Sequence, residues 1–208
     1  MKIFMTTIYQ LIKIIYTFLL TLIPPWYKVD FHAIANITSP QQVIFKNRDE
    51  IILIQDSDIL IYHIAERKIE KVGEREPNDF VGVSSDGDII LCSIEHFLIN
   101  SYDEYSTKFT IKKLEGEIEK EMEFFETIKP IYLDEKRIVA VTAMDFLQQH
   151  QYEINLSNGE MKEEIFQKEK VAVRIPKNFN LKNTYLFNKD MYVIEDVFGN
   201  LCLYRTLF

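Results

Sequence analysis

The chain is poor in the residues that punctuate or cross-link proteins: its 208 residues include 6 Gly, 6 Pro, 2 Cys and 1 Trp. Two cysteines are too few for the disulfide framework that supports small secreted scaffolds. With glycine scarce there is no Gly-x-Gly-x-x-Gly turn, no Gly-Lys-Ser/Thr phosphate loop and no Gly-x-Ser-x-Gly nucleophile turn. His32, His63, His96 and His150 stand apart, none at the i, i+4 spacing of a metal site. Asp56-Ser57-Asp58 and Asp86-Gly87-Asp88 begin like cation loops but lack the distal Glu, and they read as turns. Carboxylates are plentiful, yet no spacing singles out an acid and a base. These absences favour a non-catalytic protein with no cofactor and no metal.

What is present is repetition. Ile69-Glu70-Lys71-Val72, Ile118-Glu119-Lys120-Glu121-Met122 and Met161-Lys162-Glu163-Glu164-Ile165 each follow a short polar connection. Before each connection an alternating segment ends in Ile64, Leu114 or Leu156. Farther upstream lies a short apolar run, a polar turn and a second apolar run: 43–45 with 51–54, 80–83 with 89–92, 131–133 with 138–141 and 185–187 with 191–194. Runs rich in β-branched residues, bounded by Asn, Asp and Gly, signal strand, turn, strand. Ile51, Ile89, Ile138 and Met191 hold matching positions 38, 49 and 53 residues apart.

A period in the forties suits a four-stranded unit stacked around an axis, so the expectation is an all-β, four-bladed, propeller-like domain over residues 29–208. No Trp-Asp pair and no adjacent glycines recur at blade spacing, so the resemblance is to the propeller architecture in general. The fourth unit is one strand short, since residues 200–206 are followed only by Leu207 and Phe208. An unmatched alternating segment, 29–38, lies at the other end. Paired beside 201–204 it would close the ring and leave only short, protected edges. An open β-sandwich is the alternative.

The charged phrases fit the outer strand of each unit, where charge discourages pairing with another molecule. In residues 117–124 the acids Glu117, Glu119, Glu121 and Glu123 alternate with Ile118, Lys120, Met122 and Phe124, and would share one strand face. Helical spacing of Leu114, Ile118, Met122 and Phe125 offers a competing helix, which the repeat disfavours.

Charge excludes one class of partner. Residues 1–28 hold three Lys and no acid, so the remainder sets 21 bases against 32 acids, a net −11. Such a domain repels phosphates, and nucleic-acid binding is not expected.

Residues 3–23 are apolar except for Thr6, Thr7, Gln10, Lys13, Thr17 and Thr21, and they stop at Pro24-Pro25. As a helix this segment would be about 31 Å long, near the thickness of a bilayer's hydrocarbon. Trp26 and Tyr27 follow where interfacial aromatics belong. The favoured reading is a membrane anchor, with a membrane-associated protein as its consequence. A cleaved secretion signal and an amphipathic helix packed on a cytoplasmic domain are the alternatives.

Cys92 and Cys202 fall in opposite units of the ring, beyond disulfide reach, and are expected as two buried free thiols. Two connections stand out as contact surfaces. One is the insertion 100–106, in which Tyr102, Asp103, Glu104 and Tyr105 are the candidate binding residues. The other runs from 168 to 183 and is basic through Arg174, Lys177 and Lys182. The expected function is a protein-interaction module, possible membrane tether included, with a protein as partner. The competing class is an enzyme or a small-ligand or ion binder that uses the central channel, where four inner strands converge.

Overall fold

The computed structural model describes residues 29–98, 105–142, 150–163 and 173–206, and their regular structure is all strand. The apolar segment 3–23 lies outside these residues.

Among the described residues sixteen strands form four antiparallel sheets of four, arranged as a four-bladed β-propeller. The first sheet holds β2 (Gln42–Phe45), β3 (Glu50–Gln55), β4 (Asp58–His63) and β5 (Lys68–Glu74), in that order from the inside outward. The second holds β6 (Asp79–Val83), β7 (Ile89–Leu98), β8 (Tyr105–Lys113) and β9 (Ile118–Phe124). The third holds β10 (Ile128–Leu133), β11 (Arg137–Thr142), β12 (Gln151–Asn155) and β13 (Met161–Glu163). The fourth is β14 (Leu181–Asn188), β15 (Met191–Asp196) and β16 (Asn200–Thr206), completed by β1 (Val29–Thr38). The repeated phrases thus become β5, β9 and β13, the outer strands of three sheets. Residues 118–124 are strand, not helix.

The last sheet takes its outer strand from the other end of the chain, as the closed-ring reading requires. β1 runs antiparallel to β16, from Val29 opposite Thr206 to Ile34 opposite Leu201. A bulge follows before Thr38 meets Asn200, with Asn36 in the left-handed region at φ 66°. Asn tolerates that conformation better than branched residues do. The three extra residues on β1, 35–37, let Ile34 and Ile37, three apart, both enter the core. Just beyond, the Ser39 amide donates to the Gly199 carbonyl at 2.9 Å. Gly199 has φ +83° and stands against Ser39, so a side chain there would be strained and crowded.

The core lies between sheets, because each sheet's two faces alternate along the strand. Ile51, Leu53, Leu60 and Tyr62 of the first sheet pack on Ile34, Ile37, Val193, Leu201 and Leu203 of the fourth. The opposite face of the first sheet, with Ile52, Ile54, Ile59 and Ile61, packs on Val81, Ile89 and Leu91 of the second. Ile90, Cys92, Phe109 and Ile111 then meet Ile128, Leu133, Ile138 and Ile154 of the third. Gly82 permits this last approach: a Cβ there would collide with the Leu133 backbone and side chain.

The remaining face of the fourth sheet is covered differently. Tyr192, Ile194, Cys202 and Tyr204, with Phe31 beside them, are packed by Val173 and Phe179 from the connection before β14. The Arg174 amide donates to the Tyr192 hydroxyl at 2.6 Å, and its guanidinium lies 5.9 Å from the centre of the Tyr204 ring. Among the described residues this cluster includes none from the third sheet. The described part of the basic connection is therefore cover for a sheet face.

Candidate binding cleft beside the β7–β8 hairpin

The first and second sheets differ in the hairpin joining the second strand to the third. In the first sheet it is tight: Gln55 pairs with Asp58 across Asp56 and Ser57, with Asp56 at φ 54°. In the second sheet β7 and β8 continue together, from Ser93 opposite Thr110 out to Leu98 opposite Tyr105. Neither neighbour follows the whole way. β6 starts at Asp79 opposite Ser93, and β9 ends at Phe124 opposite Thr107.

This projecting ribbon is moored. Ser106 and Thr107 are fully buried although polar, because each has partners. The Ser106 hydroxyl donates to Glu123 at 3.0 Å. Thr107 Oγ1 donates to the Glu126 carbonyl at 2.6 Å and accepts the Ile128 amide at 3.1 Å, which ties β8 to the approach to β10. His96 Nδ1 lies 3.0 Å from the same hydroxyl. On the other strand the side chains are exposed, Phe97 at 38% and Leu98 at 52%.

Beside the ribbon is an open cleft of about 880 Å³. Its lining is apolar at Phe80, Ile94, Phe97 and Pro130 and polar at Gln42, Arg75, Glu95 and Lys129. It therefore opens where the inner strands β2, β6 and β10 begin. The Gln42 side chain spans two of them like an extra peptide group, donating to the Val81 carbonyl at 3.2 Å and accepting its amide at 3.1 Å. Asp79 is buried and accepts the Ser93 hydroxyl at 2.5 Å. Arg75 donates to the carbonyls of Pro77 and Asp79, while its Nε is shut from solvent without a partner. Among the described ion pairs neither Arg75 nor Lys129 has a carboxylate.

Nucleophilic chemistry has little to work with here. Burial, with the Asp79 charge nearby, pushes the Cys92 thiol up to about 12, and burial pushes Cys202 up to about 11. A thiol so raised stays protonated at neutral pH and packs as a small apolar group. Both cysteines are free and buried, as their places in opposite units imply. The histidines have structural partners: His32 lies 2.7 Å from the Tyr62 hydroxyl, and His63 lies between Glu50 and Glu70. Among the described residues no group of three or more His, Cys, Asp or Glu could hold a metal. Asp56-Ser57-Asp58 and Asp86-Gly87-Asp88 are hairpin turns, with Gly87 at φ +85°.

A second polar cluster is structural. Glu195 is 1% exposed and receives Lys182, Asn183 and Tyr185, each at 2.8 Å. Burial raises its pKa, but these donors together outweigh that and leave it below the usual carboxylate range. With all three donors directed at one carboxylate, the network pins β14 to β15 where their register shifts.

Of the binding residues expected from sequence, Tyr105 is half-buried and opens β8, paired with Leu98. Tyr102, Asp103 and Glu104 lie outside the described residues. The insertion is narrower than expected, because residues 105 and 106 belong to the strand and Ser106 is buried. Sequence reasoning missed the cleft and the edge formed by residues 94–98. Strand 89–98 is twice the length of its partner β6, a difference set by where β6 begins rather than by residues 94–98.

No family model matches the chain, and no curated protein matches it. Solved structures do, at low similarity. A Pyrococcus horikoshii acylaminoacyl peptidase matches at 13% identity and a TM-score of 0.38, covering 77% of this chain and 28% of the peptidase. The AfRom2 CNH domain matches at 10% identity and 0.30, covering 82% of this chain and 81% of that domain. The WD40 domain of SCAP from fission yeast matches at 10% identity and 0.27, covering 81% and 49%. The chain thus spans little more than a quarter of the peptidase. Likeness at this level assigns neither an activity nor a partner.

Proposed function

We propose that the protein is a non-catalytic interaction module that binds a protein partner through the end of the ring bearing the β7–β8 hairpin. One observation carries this reading: a moored ribbon presents exposed Phe97 and Leu98 next to an open cleft. Loops and ribbons held on a rigid scaffold are common recognition devices, and exposed aromatics are good contact residues. Tyr102, Asp103, Glu104 and Tyr105 are the proposed contacts, on sequence grounds for the first three, which lie outside the described residues. A membrane tether through residues 3–23, with the protein membrane-associated, belongs to the same proposal and rests on sequence alone. No helix among the described residues is long and apolar enough to cross a membrane.

The test replaces residues 99–104 with Gly and Ser in the full-length chain and leaves 105–107 intact, since Ser106 and Thr107 are buried. Proximity crosslinking in cells should lose its main product while the melting temperature stays within about 2 °C, as expected for surface changes. An unchanged crosslinking pattern removes this surface from consideration. Extraction with alkaline carbonate checks the tether: the anchored protein should stay with the membranes, and release contradicts the anchor.

A second reading has one observation in its favour. The cleft opens where three inner strands begin, as a channel ligand would require. Native mass spectrometry of the purified chain would reveal a retained metabolite or ion and shift preference to that reading.

A further inference from the structure

We infer that the free edge of β7, residues 94–98, takes up an extended, acidic peptide segment of the protein partner as an added strand. The inference rests on the interaction reading above and names its mode.

The backbone supplies the first argument. A strand directs its N–H and C=O groups to both sides, and a neighbour on each side satisfies them. β7 has β8 on one side along its full length. On the other side β6 pairs with it only through Ser93, so residues 94–98 have no described strand beside them there. At strand rise this stretch is about 17 Å long. Adding a peptide strand to such an edge lets the main chain provide affinity while alternate side chains provide selectivity.

The surroundings supply the second. The cleft lies along this edge, with Ile94, Glu95, His96 and Phe97 forming one of its walls. Its volume of about 880 Å³ is within the roughly 300–1,000 Å³ usual for ligand sites. Phe80 and Pro130 offer an apolar lining for alternate side chains of the guest.

Charge argues for an acidic guest. Arg75 and Lys129 are two cations of the lining without a carboxylate among the described residues, and Arg75 Nε is buried and unpaired. Of the lining acids, Asp79 is buried and bonded to Ser93, and Glu95 stands opposite Lys108 across the ribbon. A guest Asp or Glu placed between Arg75 and Lys129 would gain charge-assisted hydrogen bonds.

The experiment screens the full-length chain against a library of ten-residue peptides with a central Asp or Glu and randomised apolar and β-branched flanks. The selected peptides should lose affinity about tenfold or more when alternate backbone amides are N-methylated, because the bonds to the edge are removed. Lys129→Glu should cost about tenfold for acidic peptides and reverse the preference between Glu and Lys at the central position. Lys129 is exposed, so the variant should melt as the parent does. Peptide binding should protect the amides of residues 94–98 from hydrogen exchange. Binding that is indifferent to N-methylation, or protection elsewhere, overturns the strand-addition mode. If that protection falls at the hairpin tip instead, the interaction reading stands without it. A dimer that is abolished by Phe97→Lys would give the edge to a second copy of the chain and contradict the peptide. An empty selection, with the same chain still losing its cellular crosslink when 99–104 are replaced, rejects the edge alone.

Discussion

The outer edges formed by β5, β9 and β13 and the edge of residues 94–98 are rows of backbone groups with no described strand beside them, but they are dressed differently. β5 carries Lys68, Glu70, Lys71 and Glu74; β9 carries Glu119, Glu121 and Glu123; β13 carries Lys162 and Glu163. Several are held by neighbours, such as Lys71 by Asp58 and Glu74, and Glu121 by Lys108. Charge on an edge discourages pairing with another chain. The β7 edge has a single acid, Glu95, followed by His96 and the exposed Phe97 and Leu98. β5, β9 and β13 are thus edges dressed in charge, whereas residues 94–98, which border the cleft, carry one acid, as does β1 with Asp30.

The most disruptive way to test this contrast is to create a new bare edge. Deleting residues 1–38 uncovers β16, whose Leu201, Cys202, Leu203 and Tyr204 are buried, and removes Ile34 and Ile37 from the core. Each lost side chain of that size costs about 1.5–3 kcal/mol, a large part of a typical total stability. Deleting only 1–28 leaves β1 in place. The longer deletion should aggregate or melt far earlier than the shorter one, as followed by light scattering and thermal denaturation. Equal melting temperatures would show that β1 adds nothing to the sheet.

A smaller effect is expected from loosening the ribbon. Thr107→Val keeps the shape but leaves the Glu126 carbonyl and the Ile128 amide without their shared partner. The cost should be about 1–3 kcal/mol, or a fall of roughly 2–10 °C in melting temperature. Hydrogen exchange should rise first in residues 94–98 and 105–108. Uniform loss across all four sheets would show that the ribbon has no mooring of its own.

The mildest change converts an inert edge into a receptive one. Lys68→Val with Glu70→Val removes two exposed charges from β5. Monomer stability should move by about 0.5 kcal/mol or less, the usual range for surface positions. Sedimentation should nevertheless show association that grows with concentration. A strictly monomeric variant would mean that those charges do not protect the edge.

Much of this architecture is legible in the sequence, and the reasons are local. Residues 51–54 and 138–141 are β-branched or small apolar runs closed by Asn, Asp or Glu turns, so strand and hairpin follow from short-range chemistry. The part played by β1 was also readable, because residues 29–38 alternate like a strand and precede the first unit's inner strand without belonging to it. The receptive edge was not readable. Nothing within residues 94–98 records that β6 stops opposite Ser93. Tyr105-Ser106 looked like loop because its polarity is local, whereas Glu123, which satisfies Ser106, arrives from another strand. Likewise, the connection before β14 could not show by composition that Phe179 and Val173 cover Tyr192 and Tyr204.

The central claim, that β7 carries an unoccupied edge for a guest strand, is most directly tested by residue-resolved amide exchange on the unliganded chain. At dilutions where it is monomeric, the amides of 89–93 should be strongly protected, since β6 and β8 flank them. Within 94–98 protection should alternate: amides directed to β8 exchange slowly, and those directed to the cleft exchange at rates near those of an unstructured peptide. Uniformly slow exchange through 94–98 in the monomer would mean that the edge is already filled, and would contradict the claim.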